Sequence, residues 1–380
     1  MKKRKKTKES IGHRLLRYVG RFFLWFFCTL AVLLAGAYLF FLYINKGPSE
    51  HFRDLFVTSA MESSAGGILA QIYLSDEEID AIRQRNQVSV LTEVTDPTLV
   101  HVLAADKAEA AAALPETDAA AETPVVLPAD PDGDGIELHE VHGPMYSGKM
   151  MIVHDPSRVH VSAISNFTHS GGGWTLQQHV ENSGAVAGIN GGKYEDASGL
   201  GIGGWPEGLV ISNGELRMGD PGATYGVYGF TDDNVLVVGN MTAGQAISMG
   251  VRDAVTFGPA LIVNGKSAGY QGIGSGLNPR TAIGQRADGA VLLLVIEGRK
   301  TSSLGAAMSD LIEVMQEYGA VNAANLDGGM SSSMIYNGEM VVSNCQLRDE
   351  RRMPTAFVVY PADENGITAD TSLQAGARSE

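Results

Sequence analysis

Residues 290–328 read AVLLLVIEGRKTSSLGAAMSDLIEVMQEYGAVNAANLDG, and this stretch decides the fold. The apolar run over 290–296 predicts a strand, apolar residues at three-and-four spacing predict a helix over 304–318, and a second strand follows over 320–326. This order predicts a right-handed β-α-β crossover, which would bring Glu297 and Asp327 to the same edge of a sheet. Two carboxylates would then share a cleft.

Short β-branched runs separated by glycine surround this unit, for example in the segments 150–155, 234–240 and 259–266. Asn-Gly pairs between such runs are typical of hairpin turns. The predicted fold class is therefore α+β, with one strand-rich domain of a size typical of catalytic domains over 136–361. The polar residues 362–380 are predicted to form a disordered tail.

Charge is distributed unevenly along the 380 residues, whose formal net charge is −15. Residues 1–50 hold ten of the Lys and Arg residues and only two Glu, so the remainder of the chain is strongly acidic. An acidic surface repels nucleic acid, so no nucleic-acid partner is expected. The basic excess at the N-terminus requires a separate explanation.

That explanation is a membrane span. Residues 22–44 are uncharged and long enough to cross a hydrocarbon core of about 30 Å as a helix. The positive-inside rule then assigns residues 1–21 to a basic cytoplasmic tip and the following chain to the outside. We therefore expect a single-pass protein of the cell membrane, with its strand-rich domain on the extracytoplasmic side. A cleavable signal peptide is the alternative, because Ala35-Gly36-Ala37 has small residues at the required spacing.

Residues 45–135 are expected to form an extracytoplasmic stalk and linker. A helix begins near Ser75, which has Glu78 three residues later as a capping box. Residues 104–135 are rich in alanine, acidic residues and proline, a composition that buries too little apolar area to fold. Only Cys28 and Cys345 are present, and Cys28 lies in the span, so no intramolecular disulfide is expected.

Four stretches carry residues suited to chemistry. Asn190-Gly191-Gly192 forms a turn that lets backbone approach a ligand, or else a plain hairpin. Arg280, which Thr281 follows, has a planar fork that clamps phosphate or carboxylate, unless it is a solvated edge charge. Glu297 lies near Arg299, and Asp327 precedes Gly328, Gly329, Ser331 and Ser332. Paired carboxylates act as nucleophile or base and as acid in glycosidic cleavage, although Asp327 could also simply cap a turn.

Metal and cofactor motifs are incomplete. Asp130, Asp132 and Asp134 repeat the first half of a calcium loop, but Val141 stands where the bidentate Glu belongs. No cofactor and no metal site are predicted, and a requirement for a divalent metal is left open.

Taken together, these stretches resemble the phosphodiester glycosidase family. The motifs that carry the resemblance, in order over about 220 residues, are Asn190-Gly191-Gly192, Phe257-Gly258-Pro259-Ala260-Leu261, Pro279-Arg280-Thr281-Ala282-Ile283-Gly284, Val295-Ile296-Glu297-Gly298-Arg299 and Asn325-Leu326-Asp327-Gly328-Gly329 with Ser331-Ser332. The span and stalk look like membrane-anchored versions from Gram-positive bacteria. The family usually has an aromatic residue at Lys193, an Asp at Glu297 and a Gly at Met330.

The resemblance implies hydrolysis of the glycosidic bond of a sugar-1-phosphodiester, of the N-acetylglucosamine type, in cell-envelope glycans such as exopolysaccharide. Asp327 and Glu297 would be catalytic, and Arg280 and Arg299 would bind the phosphate. The remaining substrate-binding residues would be Thr281, Asn190, Gly191, Gly192, Gly328, Gly329, Ser331 and Ser332. The alternatives are a non-catalytic envelope protein that binds glycans, and an enzyme that cuts an ordinary glycosidic or phosphodiester bond. The sequence does not fix the oligomeric state.

Overall fold

The computed structural model describes residues 11–62, 66–102, 130, 133–196, 202–344 and 350–362. The helices are α1 (Ile11–Lys46), α2 (Glu50–Met61), α3 (Gly67–Gln71), α4 (Asp76–Gln84), α5 (Leu176–Ser183), α6 (Ala243–Ser248) and α7 (Met308–Glu317). The strands are β1 (Ile136–His142), β2 (Ser147–Val153), β3 (Val159–Ala163), β4 (Ala187–Asn190), β5 (Val210–Ser212), β6 (Glu215–Met218), β7 (Thr224–Thr231), β8 (Leu236–Thr242), β9 (Val251–Val255), β10 (Ala260–Val263), β11 (Lys266–Ser267), β12 (Arg280–Arg286), β13 (Val291–Ile296), β14 (Ala320–Leu326), β15 (Ser333–Tyr336), β16 (Glu339–Ser343) and β17 (Thr355–Val359).

The β-α-β crossover is present as β13–α7–β14, and the predicted α+β class is confirmed. These strands belong to a seven-stranded sheet of order β1-β2-β13-β12-β14-β10-β11. Since β12 pairs antiparallel with both β13 and β14, those two strands run in the same direction with β12 between them. The carboxyl ends of β13 and β14 and the start of β12 therefore meet at one edge of the sheet.

Helix α7 begins at Met308, four residues later than the predicted start at 304. The missing turn is extended backbone: Ala306 forms an isolated bridge with Asn278. Gly305 precedes it with a φ of +117°, and a Cβ there would lie 2.5 Å from the Asn278 backbone. The apolar spacing alone could not reveal this long-range pairing.

Two further five-stranded sheets, of order β16-β15-β4-β17-β3 and β6-β5-β9-β7-β8, pack against the first. The largest buried cluster draws on all three sheets, with Leu293 from the first, Phe357 from the second and Phe230 from the third. The Asn-Gly pairs at 213–214, 264–265 and 337–338 all have positive φ at both residues. They form the predicted hairpin turns.

Helix α1 contains the apolar segment Leu16–Lys46, which is the one helix in the described residues long and apolar enough to cross a membrane by length and composition. Such a helix serves as an anchor or as a signal sequence. Its last turns contact the following helices: the rings of Phe41 and Phe56 lie 5.7 Å apart, and the Tyr73 hydroxyl donates to the Tyr38 carbonyl at 3.1 Å.

The segment 50–102 departs from the predicted stalk, because it packs on the strand-rich domain. Helices α2, α3 and α4 share a small apolar core, and the predicted capping box of Ser75 and Glu78 is present. Residues 86–102 then follow the domain surface, where Ser89 N donates to Gly269 O at 2.7 Å and Thr95 N donates to Val238 O at 3.1 Å. Composition marked only 104–135 as unable to fold, and most of that linker, with the tail after 362, lies outside the described residues.

Candidate active site

A cavity of about 430 Å³ opens at the sheet edge where β12 begins and β14 ends. The register pairs Thr281 with Leu326, which brings the preceding Arg280 and the following Asp327 to the same end of the two strands. Both residues line the cavity, together with Arg299, Gly328 and other residues. The crossover thus brings Arg280, Arg299 and Asp327, three of the predicted site residues, to this cavity.

Asp327 is one of three carboxylates that line this cavity, with Asp196 and Glu62. Burial raises the pKa of Asp327 to about 6, and the neighbouring Asp196 adds to the rise. Hydrogen bonds from the Ser331 side chain and from Gly328 N, the latter at 3.0 Å, partly offset the rise. Tyr194 Oη lies 3.0 Å from Ser331 Oγ, so tyrosine, serine and aspartate form a short hydrogen-bonded chain. Such a carboxylate is more basic than an ordinary aspartate yet mainly ionised at neutral pH.

Three of the predicted substrate-binding residues lie behind the cavity. Asn190, Thr281 and Ser332 have no exposed surface. Asn190 Nδ2 donates to the Asp327 carbonyl at 2.6 Å, and Thr281 Oγ1 donates to Asn190 Oδ1 at 2.7 Å and lies 3.1 Å from Ser332 Oγ. These side chains hold the backbone of Asp327 in place, and they do not face the space that a substrate would fill.

The two glycine pairs have different positions. Gly191 and Gly192 pack inside the protein, where a Cβ on Gly191 would lie 2.6 Å from the Thr355 backbone oxygen. Close packing of strands explains these glycines. The backbone of Gly191 and Gly192 therefore does not line the cavity, where the sequence predicted that it would approach a ligand. Gly328 and Gly329 do line the cavity, and Gly329 has a φ of +65°.

Three arginines reach the cavity, each with different partners. Arg280 is 7% exposed, and its Nη2 contacts Glu62 at 2.6 Å, Ser275 Oγ at 3.0 Å and Gly276 O at 2.7 Å. Arg351 forms an ion pair with Asp196 at 2.7 Å. Arg299 donates to Asn278 Oδ1 at 3.0 Å.

Arg299 differs from the other two because it has no carboxylate partner among the residues described here. Desolvation, with Arg280 and Arg351 nearby, lowers the pKa of the Arg299 guanidinium, which nonetheless stays charged. Its backbone has a φ of +57°, in the left-handed region that residues other than glycine seldom adopt. Arg299 is therefore the arginine of this cavity whose charge no described carboxylate neutralises.

Glu297 is not brought into the cavity. Strands β13 and β14 are separated by β12, so their ends lie about 10 Å apart at the usual strand spacing. The Glu297 carboxylate instead accepts from Lys300 Nζ at 2.7 Å. The expectation that it shares a cleft with Asp327 is not met, and its catalytic role stays a prediction without support from this geometry.

The sequence reading missed several residues that line the cavity. Asp196 and Glu62 supply two further carboxylates, and Arg351 and Tyr194 also line the cavity. Tyr194 and Asp196 follow the Asn-Gly-Gly turn closely, which was the available signal. Glu62 comes from the end of α2, more than 200 residues away from Arg280, and no local pattern indicates it.

Comparison with known proteins identifies the class. Residues 183–360 match the model of the family described as "NAGPA: Phosphodiester glycosidase". Every residue that lines the cavity lies within 183–360, except Glu62. This match confirms the resemblance that the sequence motifs indicated.

Two curated proteins are similar to the chain. One is "SPbeta prophage-derived uncharacterized protein YomE" of Bacillus subtilis strain 168, 32% identical over 180 residues, which are 44% of this chain and 28% of that protein. The other is the N-acetylglucosamine-1-phosphodiester alpha-N-acetylglucosaminidase of Bos taurus, 24% identical over 210 residues, which are 49% of this chain and 39% of that protein. The chain thus matches well under half the length of either relative.

Among solved structures, the catalytic domain of zebrafish N-acetylglucosamine-1-phosphodiester alpha-N-acetylglucosaminidase, described as auto-inhibited by its pro-peptide, has a TM-score of 0.48. It is 19% identical, with 59% of this chain and 82% of that chain covered. A putative exported protein from Burkholderia pseudomallei K96243 has a TM-score of 0.44 at 18% identity, with 57% and 74% covered.

A metal site is not apparent within the described ranges, where no group of three or more His, Cys, Asp or Glu side chains is placed to hold an ion.

Proposed function

We propose that this protein is a hydrolase that cleaves the glycosidic bond of a sugar-1-phosphodiester of the N-acetylglucosamine type. The observation that carries the proposal is the presence of Asp327 and Arg299 in one cavity of a phosphodiester glycosidase family domain. One supplies a basic carboxylate, and the other supplies a cation with no carboxylate partner in the described structure. These are the two charges that such a reaction requires.

The carboxylate serves the sugar. Hydrolysis passes through an oxocarbenium-like sugar that a nearby negative charge stabilises. With a pKa near 6, Asp327 is ionised at neutral pH and can either attack the anomeric carbon or take a proton from the attacking water. Asp196, another carboxylate of the cavity, is paired with Arg351 and serves to position the sugar.

The arginine serves the phosphate. When the bond between the anomeric carbon and the phosphate oxygen breaks, the phosphate departs as a monoester, which is a good leaving group even without strong general-acid help. Its negative charge increases as it leaves, and a fixed guanidinium lowers the energy of that state. Arg299 would perform this task, because the fork of Arg280 is already contacted by Glu62, Ser275 and Gly276.

The envelope location is part of the same proposal. Residues 22–44 form the middle of helix α1, and the basic residues before them favour a cytoplasmic N-terminus. The catalytic domain would then act outside the cell membrane on phosphodiester-linked glycans, without a nucleic-acid partner.

Hydrolysis assays test the proposal. The full chain in detergent is incubated with N-acetylglucosamine-1-phosphate methyl diester, and free sugar is detected by mass spectrometry. We expect release by the unmodified protein and loss of release in Asp327→Asn, with Asp233→Asn as a control because Asp233 is an exposed aspartate between β7 and β8. Retained activity in Asp327→Asn would remove this residue from the mechanism.

A further inference from the structure

Helix α3 lies beside the apolar helix α1, at the level of a residue inside the uncharged stretch 22–44. The Tyr73 hydroxyl, which follows α3 closely, donates to the Tyr38 carbonyl at 3.1 Å, and the two rings lie 5.4 Å apart. The chain therefore leaves the end of α1, passes through α2 and returns to a level that α1 has already passed.

The level of Tyr38 relative to a membrane follows from the charges that flank the stretch. Arg21 is the last charged residue before it, and Lys46 is the first after it. A hydrocarbon core of about 30 Å takes about 20 helical residues, so a span that begins at Phe22 ends near Phe41. Tyr38 then lies about 4.5 Å inside the outer boundary of the hydrocarbon core, and tilt of the helix would place it deeper.

Helix α3 presents an apolar surface at this level. Ile68 and Ile72, four residues apart on one face of the helix, are 60% and 59% exposed. The opposite face packs into the small core of α2, α3 and α4 through Ala70 and Leu74. Residues 63–75 contain no charged side chain, so no charge in this segment opposes transfer of the two isoleucines into lipid.

A charged pair of the same helices lies further out. Lys46, which is about 7.5 Å beyond Phe41 along α1, forms an ion pair with Glu78 of α4 at 2.7 Å. This level corresponds to the polar headgroup region, which adds about 5 to 8 Å on each side of the hydrocarbon core. Apolar side chains thus lie at the level of the acyl chains and charges at the level of the headgroups, as in segments that bind a membrane interface.

We propose that α3 inserts into the outer leaflet of the membrane, where Ile68 and Ile72 contact phospholipid acyl chains. The inference rests on the proposed use of α1 as a membrane span, and it does not depend on the proposed reaction. The protein is then held to the membrane at two places, by α1 and by α3.

Hydrogen bonds connect these helices to the strand-rich domain. Leu277 N donates to Ser59 Oγ of α2 at 2.8 Å, and Ile273 N donates to Asn86 Oδ1, just after α4, at 3.1 Å. Insertion of α3 therefore sets the orientation of the whole domain relative to the lipid surface.

The candidate active site is then held close to the membrane. Glu62, which lines its cavity, is six residues before Ile68, and six residues span at most about 22 Å. One wall of the cavity therefore lies within about 22 Å of the acyl chains. A flexible stalk, as the sequence predicted, would impose no such limit.

Fluorescence quenching of the full chain in lipid nanodiscs tests the inference. In a Cys28→Ser/Cys345→Ser background, single cysteines are introduced by Ile68→Cys, Val32→Cys or Ile247→Cys and labelled with an environment-sensitive fluorophore. Val32 lies in the uncharged stretch of α1 and is 71% exposed, whereas Ile247 is the matched control, a 43% exposed isoleucine of the short helix α6. Since all three positions are exposed, the labels should leave the melting curve unchanged.

The nanodiscs contain phosphatidylethanolamine and phosphatidylglycerol and hold one chain each. Doxyl-labelled lipid should quench the labels at Ile68→Cys and Val32→Cys. Aqueous iodide should quench both severalfold less than it quenches the label at Ile247→Cys, which lipid should leave unquenched.

A label at Ile68→Cys that iodide quenches as strongly as the label at Ile247→Cys would overturn the inference. Shielding of Ile68→Cys from iodide without quenching by lipid would show that protein covers α3, and it would overturn the inference as well. If lipid does not quench Val32→Cys, α1 does not span the membrane and the inference fails with it. Absence of hydrolysis, by contrast, would refute the proposed reaction and leave this result unaffected.

Discussion

Replacement of Asp327 by asparagine should stabilise the folded protein at neutral pH while it abolishes turnover. Burial raises the pKa of this carboxyl from its ordinary value of 3.8 to about 6, a rise of about two pKa units. At about 1.4 kcal/mol per unit, the ionised carboxylate costs the folded state about 3 kcal/mol above pH 7. Asparagine keeps the acceptor oxygen for Gly328 N and carries no charge, so it avoids this cost.

The sign of the pH dependence follows from the same shift. Between pH 4 and 6 the folded protein binds more protons at Asp327 than the unfolded chain does, so this group's contribution falls as pH rises through that window and is constant above it. The Asn variant lacks this decline. The difference in unfolding free energy between variant and unmodified protein should thus increase by about 3 kcal/mol from pH 4 to pH 7.

Urea denaturation of the full chain in detergent at a series of pH values measures this difference. In thermal melts, about 3 kcal/mol corresponds to roughly 6 to 12 °C for a domain of this size. Asp233→Asn, at an exposed turn, should differ from the unmodified protein by no more than about 0.5 kcal/mol at any pH. A stability difference for Asp327→Asn that does not change between pH 4 and pH 7 would refute the burial argument.

Three further predictions concern the cavity. Ser331→Ala removes a hydrogen bond that lowers the pKa of Asp327, so the acid limb of the pH–rate profile, expected near pH 6, should move to higher pH. An unmoved acid limb would show that Ser331 does not change the pKa of this carboxylate. Arg299→Ala should reduce kcat/KM for the methyl diester at least about tenfold, as expected for loss of a charged hydrogen bond to the phosphate. Lys266→Ala, which changes the exposed first residue of β11 outside the cavity, should not. Glu62→Gln removes the negative charge that competes for Arg280, so inorganic phosphate should inhibit this variant at a severalfold lower concentration than it inhibits the unmodified protein. An unchanged inhibition constant would show that phosphate binds away from Arg280.

Local patterns predicted the framework of the site. The apolar run before Glu297 and the spacing of α7 indicated a crossover, and β13, α7 and β14 form one. The position of Asp327 at the end of β14 follows from that unit alone. Turn chemistry was equally local, because Asn-Gly favours positive φ at both residues.

The order of the strands in the sheet could not be predicted from the sequence. It determines that Asp196, and not Glu297, lines the cavity with Asp327. Insertion of β12 between β13 and β14 separates Glu297 from Asp327. Asp196, which the structure places in the cavity, comes from a loop after β4 in another sheet. Only tertiary packing determines which loop reaches the edge of the first sheet.

The N-terminal segment shows the same limit. Composition distinguished an apolar span and an alanine-rich linker, but between them Asn86 and Ser89 bind the domain through individual hydrogen bonds that composition cannot reveal. Glu62 reaches Arg280 in this way, across a sequence separation of 218 residues.

The measurement that tests the central claim most directly is hydrolysis of N-acetylglucosamine-1-phosphate methyl diester by the full chain and by Asp327→Asn, with and without a chelator. The account predicts release of free N-acetylglucosamine and methyl phosphate by the unmodified protein, and no release by the variant under conditions where its melting curve shows it to be folded. Absence of release from the folded, unmodified protein, or equal release from the variant, would contradict it.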